Sequence, residues 1–403
     1  MRTYSWPEGH WNWPIRVTHK HGVRCGQMIF LGGQVDLDGS GNVLHPGDLL
    51  AQIDKVMGHI ETILVDLGAS LSDLVKLQVF YVEAASLTDA DVMARIARAL
   101  PPSARIALTM IPIPFLSYGG MVAEIEGIAM LAEDGTSLPR RTTEPTGIAS
   151  LPLPFVHGLQ CGAMIFVSGQ APRDATDAMV APHDIVTQST HVMDRIAAVL
   201  QALGSDLHDV VKINRWYTGH GAREDWEPAA LTVASRFAEP GPVATGIPLP
   251  RFPDPHQRTM IDVIAMPDAA GKRECVSPEG HWDWPVHLPH CHGVKCGNMV
   301  FIGGQVSLTP LGDVLHPNDI VEQTRIGLVY IREVLASFGL IMGSVVKVLA
   351  LFSAIGRAEE LHSNLSIRSA AFAEPGPPTT GIPVPHLTYP GMMMEIEVIA
   401  MAD

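Results

Sequence analysis

The chain has 403 residues, 47% of them hydrophobic and 17% charged, with a formal net charge of −15. That length holds two to four domains at roughly 100–200 residues each, and the apolar share supports buried cores over disorder. An acidic surface repels phosphate backbones and argues against bulk nucleic-acid binding, and no apolar run reaches the ~18 residues of a membrane-spanning helix.

In chain order, the first segment, MRTYSWPEGHWNWP, lacks the basic stretch and apolar run of a secretory signal. Residues 21–34 read HGVRCGQMIFLGGQ, a short β-rich run ending in glycines, and predict a strand entering a tight turn. Asp48 precedes helical periodicity and predicts an N-cap, with a helix over Leu49–Leu67 stopped at Gly68. A strand carrying Lys76 (LVKLQVFYV), a helix near Asp89–Leu100, an I-P-x-P step at 111–114 and a closing strand near Met121–Met130 follow.

The same landmarks then return twice. Gln34, Gln170 and Gln305 close the three G-Q runs, 136 and 135 residues apart. Asp184 and Asp319 repeat the N-cap, Lys212 and Lys347 the lysine strand, and EIEGIAM, MIDVIAM and EIEVIAM the closing strand. Second helices are expected near Trp226–Glu239 and Ala358–Glu374. Repeats of this kind decide the fold before any local reading does. The expected class is α+β: three tandem units in the order β–β–α–β–α–β, each a sheet with two helices on one face. Their bounds are 1–132, 150–268 and 275–403, joined by Pro/Gly/charge-rich connections at 133–149 and 269–274. The first and third units share a lead-in, PEGHWNWP and PEGHWDWP, which the middle unit lacks. Five cysteines without framework spacing fit reduced thiols and a cytoplasmic location.

The G-Q strand, the lysine strand and the closing E-I-E-x-I-A strand resemble, in that order and three times over, the segments of Rid/YjgF proteins, a family of small enamine/imine deaminases. That resemblance implies a homotrimer made covalent, a pseudo-trimer with three clefts between neighbouring units. It also implies hydrolysis of a C=N bond without a cofactor or metal. The family's carboxylate-binding arginine is absent from PVATGIPLP and PPTTGIPVP, leaving Arg105 in the first unit as the candidate, displaced to the place of Gly376. Glu126, Asp262 and Glu397 match the family's acidic residue, which handles the attacking water. The cleft tyrosine is matched by His19, Phe155 and His290, so two of three units substitute histidine.

The catalytic candidates are therefore Glu126, Glu397, His19 and His290, and the substrate-binding candidates Arg105, Phe155 and Asp262. The pairs His19/His21 and His290/His292 alternate as strand residues do, so a metal site is a minority reading. Cys25, Cys161 and Cys296 read as small buried thiols. Trp11, Trp13, Trp282 and Trp284 read equally as core or as the roof of a cleft. The expected activity is hydrolytic deamination of a small unsaturated amino acid, 2-aminomuconate-like by analogy. A non-catalytic small-molecule binder and another hydrolase or lyase on the same fold, as in chorismatase-like relatives, are the alternatives. The expected partner is a small carboxylate, with no nucleic acid and no membrane; further association of the chains is left open.

Overall fold

The computed structural model describes residues 2–267 and 273–402, so most of the expected 269–274 connection lies outside the described residues. The first repeat runs β1 (Arg2–Ser5), β2 (Gly22–Cys25), β3 (Met28–Val35), α1 (Leu49–Asp66), β4 (Leu74–Val82), α2 (Asp89–Ala99), β5 (Ile106–Ile113) and β6 (Ala123–Met130). The second has β7 (Arg140–Thr143), β8 (Phe155–Val156), β9 (Gly158–Cys161), β10 (Met164–Gln170), α3 (Ile185–Ala202), β11 (Val210–Thr218), α4 (Arg223–Ala234), β12 (Val243–Leu249) and β13 (Thr259–Ala265). The third has β14 (Glu274–Val276), β15 (Gly293–Cys296), β16 (Met299–Val306), α5 (Ile320–Ser337), β17 (Val345–Ser353), α6 (Ala358–Ala370), β18 (Thr379–Val384) and β19 (Met394–Met401).

Each repeat forms one mixed sheet. The first sheet is ordered β1-β2-β3-β6-β4-β5-β8, and the others follow the same plan. Asp48, Asp184 and Asp319 cap α1, α3 and α5 by accepting hydrogen bonds from backbone N–H groups of the first turn. The expected order omitted two strands per repeat: a leading edge strand (β1, β7 and β14) and the strand between the second helix and the closing strand. The I-P-x-P segments belong to β5, β12 and β18, which run parallel to the lysine strands after a helical crossover. Within the expected connection 133–149, β7 pairs antiparallel with β9 of the second repeat.

The strands are buried on both faces. Ile29 and Leu31 pack under α1, and the intervening Met28 and Phe30 face away from it. On that far side the equivalent residues of all three repeats share one cluster: Phe30, Phe166 and Phe301, Val75, Val211 and Val346, and Met28, Met164 and Met299. Cys25, Cys161 and Cys296 are free, buried and part of it.

Three buried ion pairs link the repeats in a closed cycle. Lys76 of the first meets Asp262 of the second at 2.5 Å, Lys212 of the second meets Glu397 of the third at 2.5 Å, and Lys347 of the third meets Glu126 of the first at 2.5 Å. One expectation about cysteines is overturned: Cys275 and Cys291 form a disulfide that ties β14 to the segment ahead of β15.

Buried histidines make the fold acid-sensitive. Burial holds His19, His59 and His292 down at about 3 and His290 at about 4, and lowers His21 well below its ordinary value of 6.5. A histidine whose folded pKa is depressed contributes stability that is present above the unfolded value and is lost as pH falls toward the folded one. Glu124 and Glu395, raised to about 8, act in the opposite sense but are fewer. The urea midpoint is therefore expected to fall steadily between pH 6.5 and about 4; a flat midpoint across that window would contradict these burials.

Candidate functional site

The G-G-Q turn has a separate task for each residue. A side-chain carbon at Gly32 would lie 2.7 Å from the Thr379 carbonyl, and one at Gly303 2.7 Å from that of Ala244. The first glycine thus lets an edge strand of the neighbouring repeat press against the turn. A carbon at Gly33 or Gly304 would sit 1.9 Å from a carboxylate oxygen of Glu124 or Glu395, so the second glycine makes room for an acid. Gln34 accepts from Trp11 Nε1 at 2.9 Å, Gln305 accepts from Trp282 Nε1 at 3.0 Å, and each amide donates back to its own turn. That glutamine therefore pins the tryptophan lead-in over the cleft.

The middle repeat shows the same logic by its exceptions. Gln170 accepts from Arg195 in place of a tryptophan. Ser168 replaces the first glycine and bonds to Leu108 N and Val156 O. Met260 stands where the others have Glu124 and Glu395, and its sulfur fills the space beside Gly169. Met110 occupies the place of Gly246 and Gly381 on the adjoining strand.

Two clefts result. Trp11, Trp13, Gly33, Tyr118 and Glu124 of the first repeat face Leu361, Leu365, Arg368, Thr379 and Gly381 of the third across a narrow cleft. Trp284, Leu288 and His290 of the third face Ile213, Arg215, Trp226, Ala244 and Gly246 of the second across a similarly narrow cleft.

Glu124 and Glu395 dominate the electrostatics. Burial, then the charge of Glu126, raises Glu124 to about 8, partly offset by the Gly381 N–H, Arg368 and Lys347. Glu395 reaches about 8 through burial and Glu397, offset by the Gly246 N–H, Lys212 and Arg215. Both carboxyls are therefore largely protonated near neutral pH. Glu395 Oε2 is buried without a hydrogen-bond partner.

A guanidinium stands near each acid. Arg368 is fully buried on α6, where Nε and Nη2 donate to Asn364 and Nη1 donates to Thr379 at 2.7 Å. Burial lowers it to about 9, against the charge of Glu124. Arg215 comes from strand β11, lies 4.8 Å over the Tyr217 ring and 6.0 Å over Trp226, and is lowered to about 10 by burial.

The sequence-predicted residues divide into those at the clefts and those beside them. Glu126 and Glu397 are buried in the lysine pairs and also accept from Thr380 and Thr245. Asp262 accepts from Lys76 and Asn214 at the first–second boundary. Arg105 lies away from the clefts, donating to the Pro102 and Ala104 carbonyls. Phe155 extends the first sheet from β8 and is buried in that repeat's core. His290 lines the second–third cleft and hydrogen-bonds the Pro242 carbonyl at 3.1 Å. His19 does the same with Pro377 at 2.7 Å, leaving its buried Nε2 without a partner. With Nδ1–H donating and the ring neutral, each Nε2 is an acceptor rather than a cation for a carboxylate.

His21 and His292 turn instead into edge-to-face contacts with His10 and Trp11 or with His281 and Trp282. Among the described residues no group of three or more metal-ligating side chains has the geometry for an ion. The reading of sequence missed Glu124, Glu395, Arg215 and Arg368. The signal for the two acids was the doubled E-x-E of the first and third closing strands, since residues two apart share a face.

Comparisons with known proteins follow the repeat. The sequence pattern of the family described as Endoribonuclease L-PSP matches residues 15–131, 149–267 and 285–402. A RutC family protein of Pyrococcus horikoshii is 27% identical over 100 residues, 25% of this chain and 77% of that protein. One from Pyrococcus abyssi is 28% identical over 100 residues, 25% of this chain and 76% of the relative. Among solved structures, a chorismatase superposes with a TM-score of 0.53 at 13% identity, covering 82% of this chain and 93% of its own. The Escherichia coli YjgF gene product aligns over 32% of this chain and 98% of its own, at 23% identity and a TM-score of 0.28.

Proposed function

The chain belongs to the Endoribonuclease L-PSP (Rid/YjgF) family in each of its three repeats, and from that premise we propose that it is a hydrolase that deaminates the imine or enamine form of a small unsaturated 2-amino acid at two of its three repeat boundaries. The observation that carries this reading is a buried carboxyl within electrostatic reach of a guanidinium from the neighbouring repeat: Glu124 and Arg368 line the first–third cleft together, and Glu395 feels Arg215 and accepts from the N–H of Gly246, which lines the second–third cleft beside that arginine.

Arg368 or Arg215 holds the substrate carboxylate by charge-assisted hydrogen bonds. The C=N carbon then lies toward Glu124 or Glu395. Water adds to that carbon, the carboxyl delivers a proton to nitrogen, and the resulting carboxylate takes a proton from the added water. The tetrahedral adduct collapses to a 2-oxo acid and ammonia, so the proton count closes without a redox step. In the second–third cleft His290 Nε2 is an acceptor able to orient the water. At the first–second boundary Met260 and Met110 provide neither acid nor cation, which favours two working clefts.

The test is ammonia release from a 2-imino acid generated in situ by an amino acid oxidase. The protein is expected to accelerate ammonia release over the spontaneous rate. Saturable carboxylate binding with no acceleration would leave a binder in place of an enzyme.

A further inference from the structure

The two clefts obtain their cation from places that are not equivalent in the repeat. By the shared F-A-E-P-G step, Arg368 of α6 corresponds to Val233 of α4, Asn364 to Ala229 and Leu361 to Trp226. By strand register, Arg215 of β11 corresponds to Ala350 of β17, and Thr379 to Ala244. Yet both guanidiniums arrive at the same spot: a carbon at Gly381 would lie 3.2 Å from Arg368 Nη2, and one at Gly246 3.7 Å from Arg215 Nη2.

Their surroundings differ in kind. Arg368 is held by Asn364 and Thr379 in a polar cradle, beneath a mouth bridged by Tyr118 Oη and His362 Nε2 at 2.9 Å. Around Arg215 that cradle is replaced by alanines and a valine. Among the described residues its guanidinium makes no hydrogen bond or ion pair, only face contacts with Tyr217 and Trp226. Trp226 and Trp284, 4.7 Å apart, form one wall, and Ile213, Val233 and Leu288 line the rest. A buried cation with unused donors beside flat aromatic faces fits a carboxylate carried on a planar, apolar body.

We infer that the chain divides its substrate range between the clefts: the second–third cleft takes a carboxylate on a planar aryl or conjugated skeleton, and the first–third cleft takes a compact one. This rests on the proposed carboxylate-binding role of the two arginines but not on turnover. Calorimetric titration of the full chain with cinnamate and with propionate separates the two. Cinnamate is expected to bind at one site per chain and to weaken at least tenfold in Arg215→Met, with less than a twofold change in Arg368→Met. Trp226→Leu keeps the cation and removes the flat wall; it should weaken cinnamate about fivefold and leave propionate unchanged, which decides the matter if Arg215→Met fails to fold. Equal losses of cinnamate binding in both arginine variants, or undiminished binding in Trp226→Leu, would overturn the division. Selective cinnamate binding by a chain that releases no ammonia would sink the deaminase reading and leave this one standing.

Discussion

Lys76→Met is expected to lower the unfolding free energy by about 3–5 kcal/mol, because it strands Asp262 as an unpaired charge in a fully buried position. Asp262 would keep only Asn214 as a donor, at 3.3 Å, and its Oδ2 has no partner even in the parent chain. The pair joins the first repeat to the second, so the loss should appear as a lower urea midpoint for the whole chain. Lys76→Met combined with Asp262→Leu removes both charges and should recover most of that loss, since a buried pair is worth little against apolar packing of the same volume. This boundary lacks the acid and guanidinium of the two clefts, so ammonia release by the folded variants should stay near the parental value. A single variant as stable as the parent would mean that the lysine does not neutralise Asp262 across the boundary.

The second large effect falls on chemistry. Replacing both Glu124 and Glu395 by glutamine should reduce kcat/KM for imine hydrolysis by about 10²–10⁴, the range associated with a positioned proton donor. Each single variant should remove one cleft's share. The pH profile carries the sign: both carboxyls act from the protonated form and titrate at about 8, so kcat/KM should fall as pH rises through that value. Glutamine cannot lose a proton, so the residual rate of the double variant should lack this limb. A double variant retaining the parental rate and the same alkaline limb would assign the proton transfer to other groups.

Much of the fold was legible because its signals are local. The three aspartate caps needed only a short polar residue ahead of an apolar period. The I-P-x-P strands were not, since Pro112, Pro248 and Pro383 argue against a sheet interior. The topology resolves this: β12 and β18 are edge strands, and β8 pairs with β5 only at Ile106 and Ala107, away from Pro112. At the site, E-x-E announced two acids on one face, but which of them meets a lysine depends on a strand of another repeat. The arginines were hidden for a different reason. Matching repeat to repeat finds residues at equivalent positions, and Arg215 and Arg368 reach one place from a strand and a helix.

The most direct test is a crystal structure of the chain with 2-oxobutanoate, the product analogue of a compact imino acid, at saturating concentration. The ligand is expected in the first–third cleft, its carboxylate on the Arg368 guanidinium and its C2 carbonyl oxygen within hydrogen-bonding reach of the Glu124 carboxyl. Ligand bound at the Met260 boundary, or bound in that cleft with its carboxylate turned away from Arg368, would contradict this.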